Sequence, residues 1–211
     1  MKTIDLTHPL REGMPVYPGT EPPLFDVGCT VAEHGFAEKK ITLFSHTGTH
    51  IDAPSHLLAE GKSLDLLPLS QFHGSACVVP VAGRNKIIDR EDLEPFAGQL
   101  ETSDYVLLHS GWDRHWGEDA YFSGFPILSP DAADRLVRCN LKGIGLDCIS
   151  VDAVDSRALP IHRILLGAGL VIIENLTNLA ALPSADFDFC CFPLAIEDAD
   201  GSPVRAVGLV P

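Results

Sequence analysis

The chain has 211 residues, of which 45% are hydrophobic and 21% are charged. This apolar content is enough for one sizeable core, so we expect a single domain spanning residues 1–211. The 15 Lys and Arg residues are outnumbered by 29 Asp and Glu residues, and the net charge of -14 would repel a nucleic-acid backbone or an anionic membrane surface. We therefore expect neither nucleic acid nor a membrane as a partner.

The distribution of apolar residues and cysteines is typical of a cytoplasmic protein. No run of about 20 apolar residues occurs, and the opening MKTIDLTHPL lacks the basic and apolar segments of a secretory signal. The six cysteines are scattered, and none belongs to a C-x-x-C pair. In a reducing compartment such residues pack as small hydrophobic side chains, so we expect buried free thiols rather than disulfides.

Segments rich in Val, Ile and Leu predict β-strands along the chain. In chain order the expected strands are Thr3–Leu6, Lys40–Phe44, Ala76–Val81, Tyr105–His109, Gly143–Ile149 and Leu170–Ile173. A helix is predicted in LSPDAADRLVRC, where Ser129 can cap the free amides, Pro130 suits the first turn and Asp131 favours the positive helix end. A second helix should begin near Pro160 and end at Gly167.

The C-terminal segment FCCFPLAIEDADGSPVRAVGLV predicts two strands joined at the Asp-Ala-Asp-Gly turn, which is an antiparallel hairpin. Because strands and helices alternate in the middle of the chain, we expect an α/β fold with a mixed β-sheet flanked by short helices and this C-terminal β-hairpin. The Pro-rich and Gly-rich segment Pro9–Pro23 cannot be a continuous helix or a central strand. It is expected to be an ordered loop with its own purpose, or a long lead into the domain.

A dense group of polar residues, SHTGTHIDAPSH, places His46, His50, Asp52 and His56 within one short segment. Gly48 lets the backbone turn tightly enough for the first two histidines to converge. If the chain is extended from His50 to Asp52, the two-residue period of a strand puts both side chains on the same side. The proline that follows turns the chain away and presents His56 separately.

Two imidazoles and a carboxylate suit a divalent ion such as zinc, with manganese or iron as alternatives. With three protein ligands the ion keeps a position for water, which it acidifies toward neutral pH, and this is the chemistry of a hydrolase. A polar loop whose histidines bond only to backbone carbonyls is the alternative, although the density of the group disfavours it. A helix could also give the four-residue histidine spacing, but the Thr-Gly-Thr between the histidines disfavours a helix.

The motif HTGTHIDAPSH resembles the H-x-G-T-H-x-D-x-P-x-H signature of the cyclase-like family, which includes bacterial kynurenine formamidase and isatin hydrolase. Further segments are similar to the family in the same order, namely IDLTHPLREGMPVYPG, HSGWDRHWG and PIHRILLGAGLVIIENL. The resemblance extends from about residue 4 to about residue 176. It implies a fold of the swivelling β/β/α type, a metal-dependent hydrolase and a homodimer or higher homo-oligomer.

The resemblance also implies which residues carry the chemistry. The metal ligands would be His46, His50, Asp52, His162 and Glu174. The first three would hold one divalent ion, and Asp52 would bridge to a second ion held by the last two, with zinc as the expected metal and manganese as the alternative. His56 would donate and accept protons, and Tyr17 would lie against the aromatic ring of the substrate.

The two late ligands also make physical sense without the resemblance. His162 lies near the start of a predicted helix that can bury one face, and Glu174 directly follows the apolar run LVII. A carboxylate at the end of a buried strand needs a partner, because an unpaired buried charge is costly. A salt bridge from Glu174 to Arg163 is the alternative to a metal.

Other polar and aromatic residues are weaker candidates. Asp147 and Asp152 can simply satisfy backbone amides where a strand meets a loop. The segment LLHSGWDRHWG offers residues that could line a pocket or serve packing: His109, Trp112, His115 and Trp116. The sequence has no G-x-S-x-G elbow, phosphate-binding glycine loop or dinucleotide fingerprint, which disfavours serine hydrolases and nucleotide enzymes.

Together these features predict an amidohydrolase that acts on a small-molecule substrate, an aryl formamide or a cyclic amide. The metal would stabilise the oxyanion, and His56 would carry the proton to the leaving nitrogen. N-formylkynurenine is the expected substrate, and an isatin-like lactam is the alternative. A metal-binding scaffold without turnover is a hypothesis from another class, and His56 argues against it because a purely structural site needs no free acid–base residue.

Overall fold

A computed structural model of the chain describes residues 1–81 and 86–211. Its strands are β1 Lys2–Asp5, β2 Leu24–Cys29, β3 Glu38–Thr42, β4 His50–Asp52, β5 His73–Pro80, β6 Ile87–Ile88, β7 Tyr105–His109, β8 Ile127–Leu128, β9 Gly143–Leu146, β10 Val171–Glu174, β11 Phe187–Cys190, β12 Gly201–Pro203 and β13 Val207–Val210. Its α-helices are α1 Val31–His34, α2 Arg90–Leu93, α3 Ala97–Thr102, α4 Pro130–Val137 and α5 Pro160–Gly167. Short 3-10 helices cover Pro54–His56, Leu64–Leu66, Leu69–Phe72, Glu94–Phe96, Trp112–His115, Asp119–Phe122 and Leu179–Ala181.

A nine-stranded mixed sheet organises the fold, in the order β1-β13-β11-β5-β7-β9-β10-β4-β12. Its central strands β5, β7, β9 and β10 are parallel. The strands on either side of this centre pair antiparallel. The predicted α/β class with a mixed sheet and short helices is therefore confirmed.

Both faces of the central strands are buried, as their continuous apolar sequences require. Along β7, Val106 and Leu108 belong to the same buried cluster as Leu136 of α4. The alternate residues Tyr105 and Leu107 belong to a second buried cluster. The two-residue period of the strand thus separates two apolar layers with the sheet between them.

The two predicted helices are confirmed. In α4 the Ser129 side chain accepts a hydrogen bond from the backbone N–H of Ala132 at 3.1 Å, and Pro130 occupies the first turn. The second helix, α5, spans Pro160–Gly167 as the sequence indicated. A proline in the first turn marks the start of both helices, and the Ser129 cap further fixes the start of α4.

The predicted strands occur with small differences at their ends. Tyr105–His109 is confirmed as β7. The segment predicted as Gly143–Ile149 ends earlier, at Leu146, and the Asp147 side chain that follows accepts hydrogen bonds from the amides of a neighbouring loop. The segment predicted as Lys40–Phe44 forms β3, which is exposed along its whole length and pairs only with β2 in a separate two-stranded sheet.

The C-terminal segment contains an antiparallel strand pair, but the connection between the two strands is longer than the sequence suggested. Strands β11 and β13 pair antiparallel, and an isolated bridge joins Pro193 to Val204 between them. Past the Asp-Ala-Asp-Gly turn, however, the chain forms β12 and pairs with β4 at the far edge of the sheet. The tip of the hairpin therefore reaches the segment that carries His50 and Asp52.

The cysteines are free, as expected, and four of the six are buried.

The Pro9–Pro23 loop contains neither helix nor strand, in agreement with its proline content. Among the described residues, no helix is long and apolar enough to cross a membrane.

Candidate metal centre

Strand β4 fixes two of the candidate ligand side chains, and its pairing with β10 brings a third to them. His50 lies opposite Glu174 of β10, and Asp52 lies opposite Ile172 of the same strand. On its other side, β4 pairs with β12, where Gly201 lies opposite Asp52. A ladder with β4 in the middle therefore joins residues that are more than a hundred positions apart in the sequence.

The tight turn before β4 carries His46 into the same place. Gly48 has a positive φ of 68°, which glycine adopts without strain, as the sequence predicted. The Nδ1 atom of His46 lies 2.7 Å from Oδ1 of Asp52. The His46 ring packs directly on Gly201, because a Cβ atom there would lie 2.6 Å from Cε1 of the ring.

His50 is oriented by a hydrogen bond on the side of its ring that faces away from the cluster. Its Nδ1 atom lies 2.8 Å from the carbonyl oxygen of Gly48. Its Nε2 atom is directed at two carboxylates, 3.3 Å from Oδ1 of Asp52 and 3.5 Å from Oε2 of Glu174. This is the arrangement of a metal-ligating histidine, whose second nitrogen donates to a carbonyl or carboxylate.

His162 reaches the cluster from the first turn of α5. Asp152 accepts hydrogen bonds from the backbone N–H groups of Ile161 and His162, and it also contacts Nδ1 of His162 at 2.8 Å. The opposite nitrogen, Nε2, lies 3.3 Å from Oε1 of Glu174 and 3.7 Å from Oδ2 of Asp52. One carboxylate thus anchors the helix and sets the ring orientation.

The five side chains form two overlapping ligand groups that share Asp52. One group is His46, His50 and Asp52, and the other is Asp52, His162 and Glu174. Asp52 faces the first two imidazoles with Oδ1 and faces His162 with Oδ2. A carboxylate that uses different oxygens toward two groups has the geometry needed to bridge two ions.

The donor chemistry fits a divalent metal. Oε1 of Glu174 is buried and forms no hydrogen bond among the described residues, although it faces the His162 ring. An unsatisfied buried carboxylate oxygen is costly, and a cation beside it would remove that cost. Imidazole nitrogens and carboxylate oxygens suit zinc and manganese alike.

The electrostatics of the cluster also favour a cation. Burial acts to lower the pKa of His46, but Asp52 and the other carboxylates nearby outweigh burial and raise it to about 9. Burial acts in the same direction on His162, whose pKa is raised to about 10 by Asp152 and Glu174 among others. Both shifts have one cause, an excess of negative charge that a divalent ion would neutralise.

His56 lies beside the cluster, at the end of the 3-10 helix Pro54–His56. Its ring centroid is 4.1 Å from that of His46, and its Nδ1 atom lies 3.5 Å from Oδ2 of Asp200. Burial lowers the pKa of His56, which favours the neutral ring that can accept a proton.

Asp200 is a site residue that the sequence analysis missed. Its Oδ2 atom also lies 3.0 Å from Nε2 of His46, and it forms a third possible ligand group with His46 and His56. In the sequence Asp200 belongs to the Asp-Ala-Asp-Gly turn, which indicated only a change of direction. The pairing of β12 with β4 is what delivers it to the site.

A cavity of about 550 Å³ opens onto the cluster, a size suited to a small organic molecule. Tyr17 contributes to its wall from the Pro9–Pro23 loop, and its hydroxyl donates to the carbonyl oxygen of Val154 at 2.8 Å. The remaining lining residues are Thr20, Phe44, Ser45, His46, His50, Asp52, His56, Ile149, Ser150, Ser156, Arg157, Leu159, His162, Glu174 and Asp200.

Comparison with known proteins agrees with this geometry. Residues 4–153 match the family model described as "Putative cyclase", which is more than half of the chain. The chain belongs to the cyclase family. A curated relative, the kynurenine formamidase of Bacillus thuringiensis (strain Al Hakam), is 36% identical over 98% of both chains.

Solved structures of other proteins share the cyclase fold. Isatin hydrolase A from Labrenzia aggregata, bound to benzyl benzoate, superposes with a TM-score of 0.89 at 25% identity, covering 99% of this chain and 93% of that one. A protein described as a "Potential Metal-Dependent Hydrolase With Cyclase Activity" superposes with a TM-score of 0.82 at 28% identity, covering 100% of this chain and 98% of that one.

The alternative ion pair between Glu174 and Arg163 is not formed in this cyclase-family chain. The Nε atom of Arg163 instead donates to the carbonyl oxygen of Ala158 at 3.0 Å. Asp147 satisfies the backbone amides of Ser110 and Gly111, which is the structural role expected for it. Asp152 satisfies amides too, and its further contact with the His162 ring was not foreseen.

The aromatic candidates of LLHSGWDRHWG serve packing instead of the cavity. The Nε1 atom of Trp112 donates to the carbonyl oxygen of Tyr121 at 3.0 Å. Trp116 stacks on His8, with ring centroids 3.9 Å apart. None of His109, Trp112, His115 and Trp116 is among the residues that line the cavity in the described part of the chain.

The contact between Gly201 and the His46 ring gives a first prediction. Gly201→Ala should displace the ring and weaken metal binding by about tenfold or more, the effect expected when a ligand loses its orientation. The readout is metal retained against a competing chelator. Gly167→Ala is the matched control, because a Cβ atom there meets nothing within 4 Å. Equal metal retention in both variants would contradict the proposed position of His46.

Proposed function

We propose that this cyclase-family chain is a metal-dependent amidohydrolase that cleaves the C–N bond of a small aryl formamide, with N-formylkynurenine as the substrate. One observation carries the proposal. The two candidate ligand groups that share Asp52 lie beside His56 in one cavity, and the size of this cavity suits a small substrate. The kynurenine formamidase relatives support the formamide substrate. The isatin hydrolase structures support an isatin-like lactam as the alternative substrate.

His46, His50 and Asp52 would hold one divalent ion, and Asp52, His162 and Glu174 would hold a second. Zinc is the proposed metal and manganese the alternative, since both accept this ligand set. When bound, the metal supplies Lewis acidity that activates water and stabilises negative charge on the carbonyl oxygen. Glu174 and Asp52 compensate the charge of the ions, while Gly48 and Asp152 hold two imidazole rings in place.

His56 is proposed to move the proton during the reaction. Water adds to the formyl carbon while His56 accepts a proton, and the C–N bond breaks as His56 returns a proton to the amine nitrogen. Formate and the free aryl amine leave. Tyr17 would lie against the aromatic ring with its phenyl face, because its hydroxyl is already bonded to Val154.

The experiment that tests the proposal is an assay of the purified protein with N-formylkynurenine and with isatin, before and after chelation. We expect metal-dependent hydrolysis of the formamide that exceeds hydrolysis of the lactam and returns when metal is restored. A reversed preference would support the isatin-type alternative. Tight metal uptake without hydrolysis of either compound would favour a metal-binding scaffold and contradict the proposal.

His56→Ala separates catalysis from metal binding. The variant should keep its metal yet lose roughly a hundredfold or more in turnover, the usual scale for a positioned proton carrier. Elemental analysis and steady-state kinetics measure the two quantities. His73→Ala serves as the control, since His73 does not line the cavity. A rate that excess metal restores would mean that His56 is a ligand.

We also propose that the chain is a single domain over residues 1–211 that works in the cytoplasm as a homodimer or higher homo-oligomer. Residues 24–42, which contain β2, α1 and β3, are called the arm here. The arm exposes a set of large apolar side chains that a second copy of the chain could cover. They include Leu24, Val27, Val31, Phe36 and Ile41, each more than half exposed.

The arm predicts a dependence of assembly on its apolar residues. Phe36→Glu should lower the mass measured by light scattering from dimer to monomer. Leu69→Glu is the matched control, because Leu69 is 72% exposed and lies outside the arm. A wild-type protein that is monomeric at micromolar concentration would contradict the proposed assembly.

A further inference from the structure

One positively charged side chain stands among the acidic residues of the cavity. Arg157 is exposed and is the single Lys or Arg among the described residues that line the cavity. The cavity also contains the carboxylates of Asp52, Glu174 and Asp200. Within residues 1–81 and 86–211, none of the recorded ion pairs involves Arg157, although the chain has 29 Asp and Glu residues. An unpaired guanidinium in such an acidic chain is available to a ligand.

The backbone on both sides of Arg157 is anchored. Before it, the carbonyl oxygen of Val154 accepts the hydrogen bond from the Tyr17 hydroxyl. After it, the carbonyl oxygen of Ala158 accepts the hydrogen bond from Arg163, and Leu159 adopts a left-handed φ of 45° before α5 begins. The side chain of Arg157 therefore extends into the cavity wall from a fixed base, which reduces the entropy lost when a ligand is bound.

The surroundings of Arg157 suit an aromatic ligand that carries a carboxylate. Apolar wall comes from Tyr17, Phe44 and Leu159, and hydroxyl groups come from Ser150 and Ser156. A guanidinium pairs with a carboxylate through two parallel hydrogen bonds, which a neutral group cannot match. Because the carboxylates of Asp52, Glu174 and Asp200 line the same cavity, a carboxylate that enters it requires a local cation of this kind.

We propose that Arg157 binds a carboxylate of the substrate, remote from the amide that is cleaved. The proposal rests on the proposed function and deepens it, since it selects an amide that carries an acidic tail. N-formylkynurenine has an amino-acid carboxylate of this kind, whereas an isatin-like lactam has none. Arg157 would thus be a specificity-determining residue that separates the two substrate classes.

The test compares N-formylkynurenine with 2-formamidoacetophenone, which keeps the aryl formamide and the ketone but lacks the amino-acid tail. For Arg157→Ala we expect kcat/KM to fall roughly 10- to 100-fold for the first compound, mainly through KM, the scale of a lost charged hydrogen-bonding pair. The second compound should be cleaved as by the wild type. Arg157→Lys should give an intermediate loss, because a lysine keeps the charge without the bidentate geometry.

Arg138→Ala is the matched control, since it removes the same charge from the end of α4 and outside the cavity lining. Equal losses on both compounds would mean a structural role for Arg157 and overturn the inference, as would no loss on either. A second readout is calorimetric binding of kynurenine, which Arg157→Ala should weaken. If the wild type cleaves neither compound, the proposed function fails, and the binding experiment then decides the inference alone.

Discussion

A buried carboxylate is stable only where cations or hydrogen-bond donors surround it, and Asp52 is 1% exposed. Burial acts to raise its pKa, yet the imidazoles of His46 and His50 hold that pKa well below the ordinary value. The position of Asp52 depends in turn on β4, which lies between β10 and β12. The same ladder places Glu174 through β10 and Asp200 through β12, so the pairing around β4 is the constraint on which most of the site depends.

The rigid and variable parts of the site come from different elements. The candidate ligands sit on β4, on β10, on the first turn of α5 and on the turn before β4. Backbone pairing holds the two strands, the Asp152 carboxylate caps α5, and the Asn175 side chain donates to the carbonyl oxygen of Gly48 in the turn. The cavity walls come largely from loops, including the one that carries Tyr17 and the one that carries Arg157. Loops can change without disturbing the sheet, so proteins of one fold can differ in the substrates that they accept.

Much of this architecture could be predicted from local sequence. Ser129 and Pro130 located α4, and the apolar run of Tyr105–His109 located β7, because capping and burial are decided within a few residues. The histidine cluster was predictable for the same reason, since Gly48 and the extended segment after it are local features.

The rest depended on contacts that no local pattern contains. Asp200 reaches His46 only because β12 pairs with β4, and Asp152 reaches the His162 ring only because α5 packs behind the cluster. Strand β2 was not predicted, because it is exposed along nearly its whole length and lacks the apolar run that indicated the other strands. Where tertiary pairing rather than local preference decides the conformation, a single sequence gives little indication of it.

The most direct measurement is anomalous X-ray diffraction from crystals of the metal-loaded protein, recorded at the absorption edge of the bound metal. The proposed metal centre requires one or two anomalous peaks within coordination distance of Asp52, flanked by His46 and His50 on one side and by His162 and Glu174 on the other. A fully occupied peak elsewhere, with these five side chains free of metal, would contradict it.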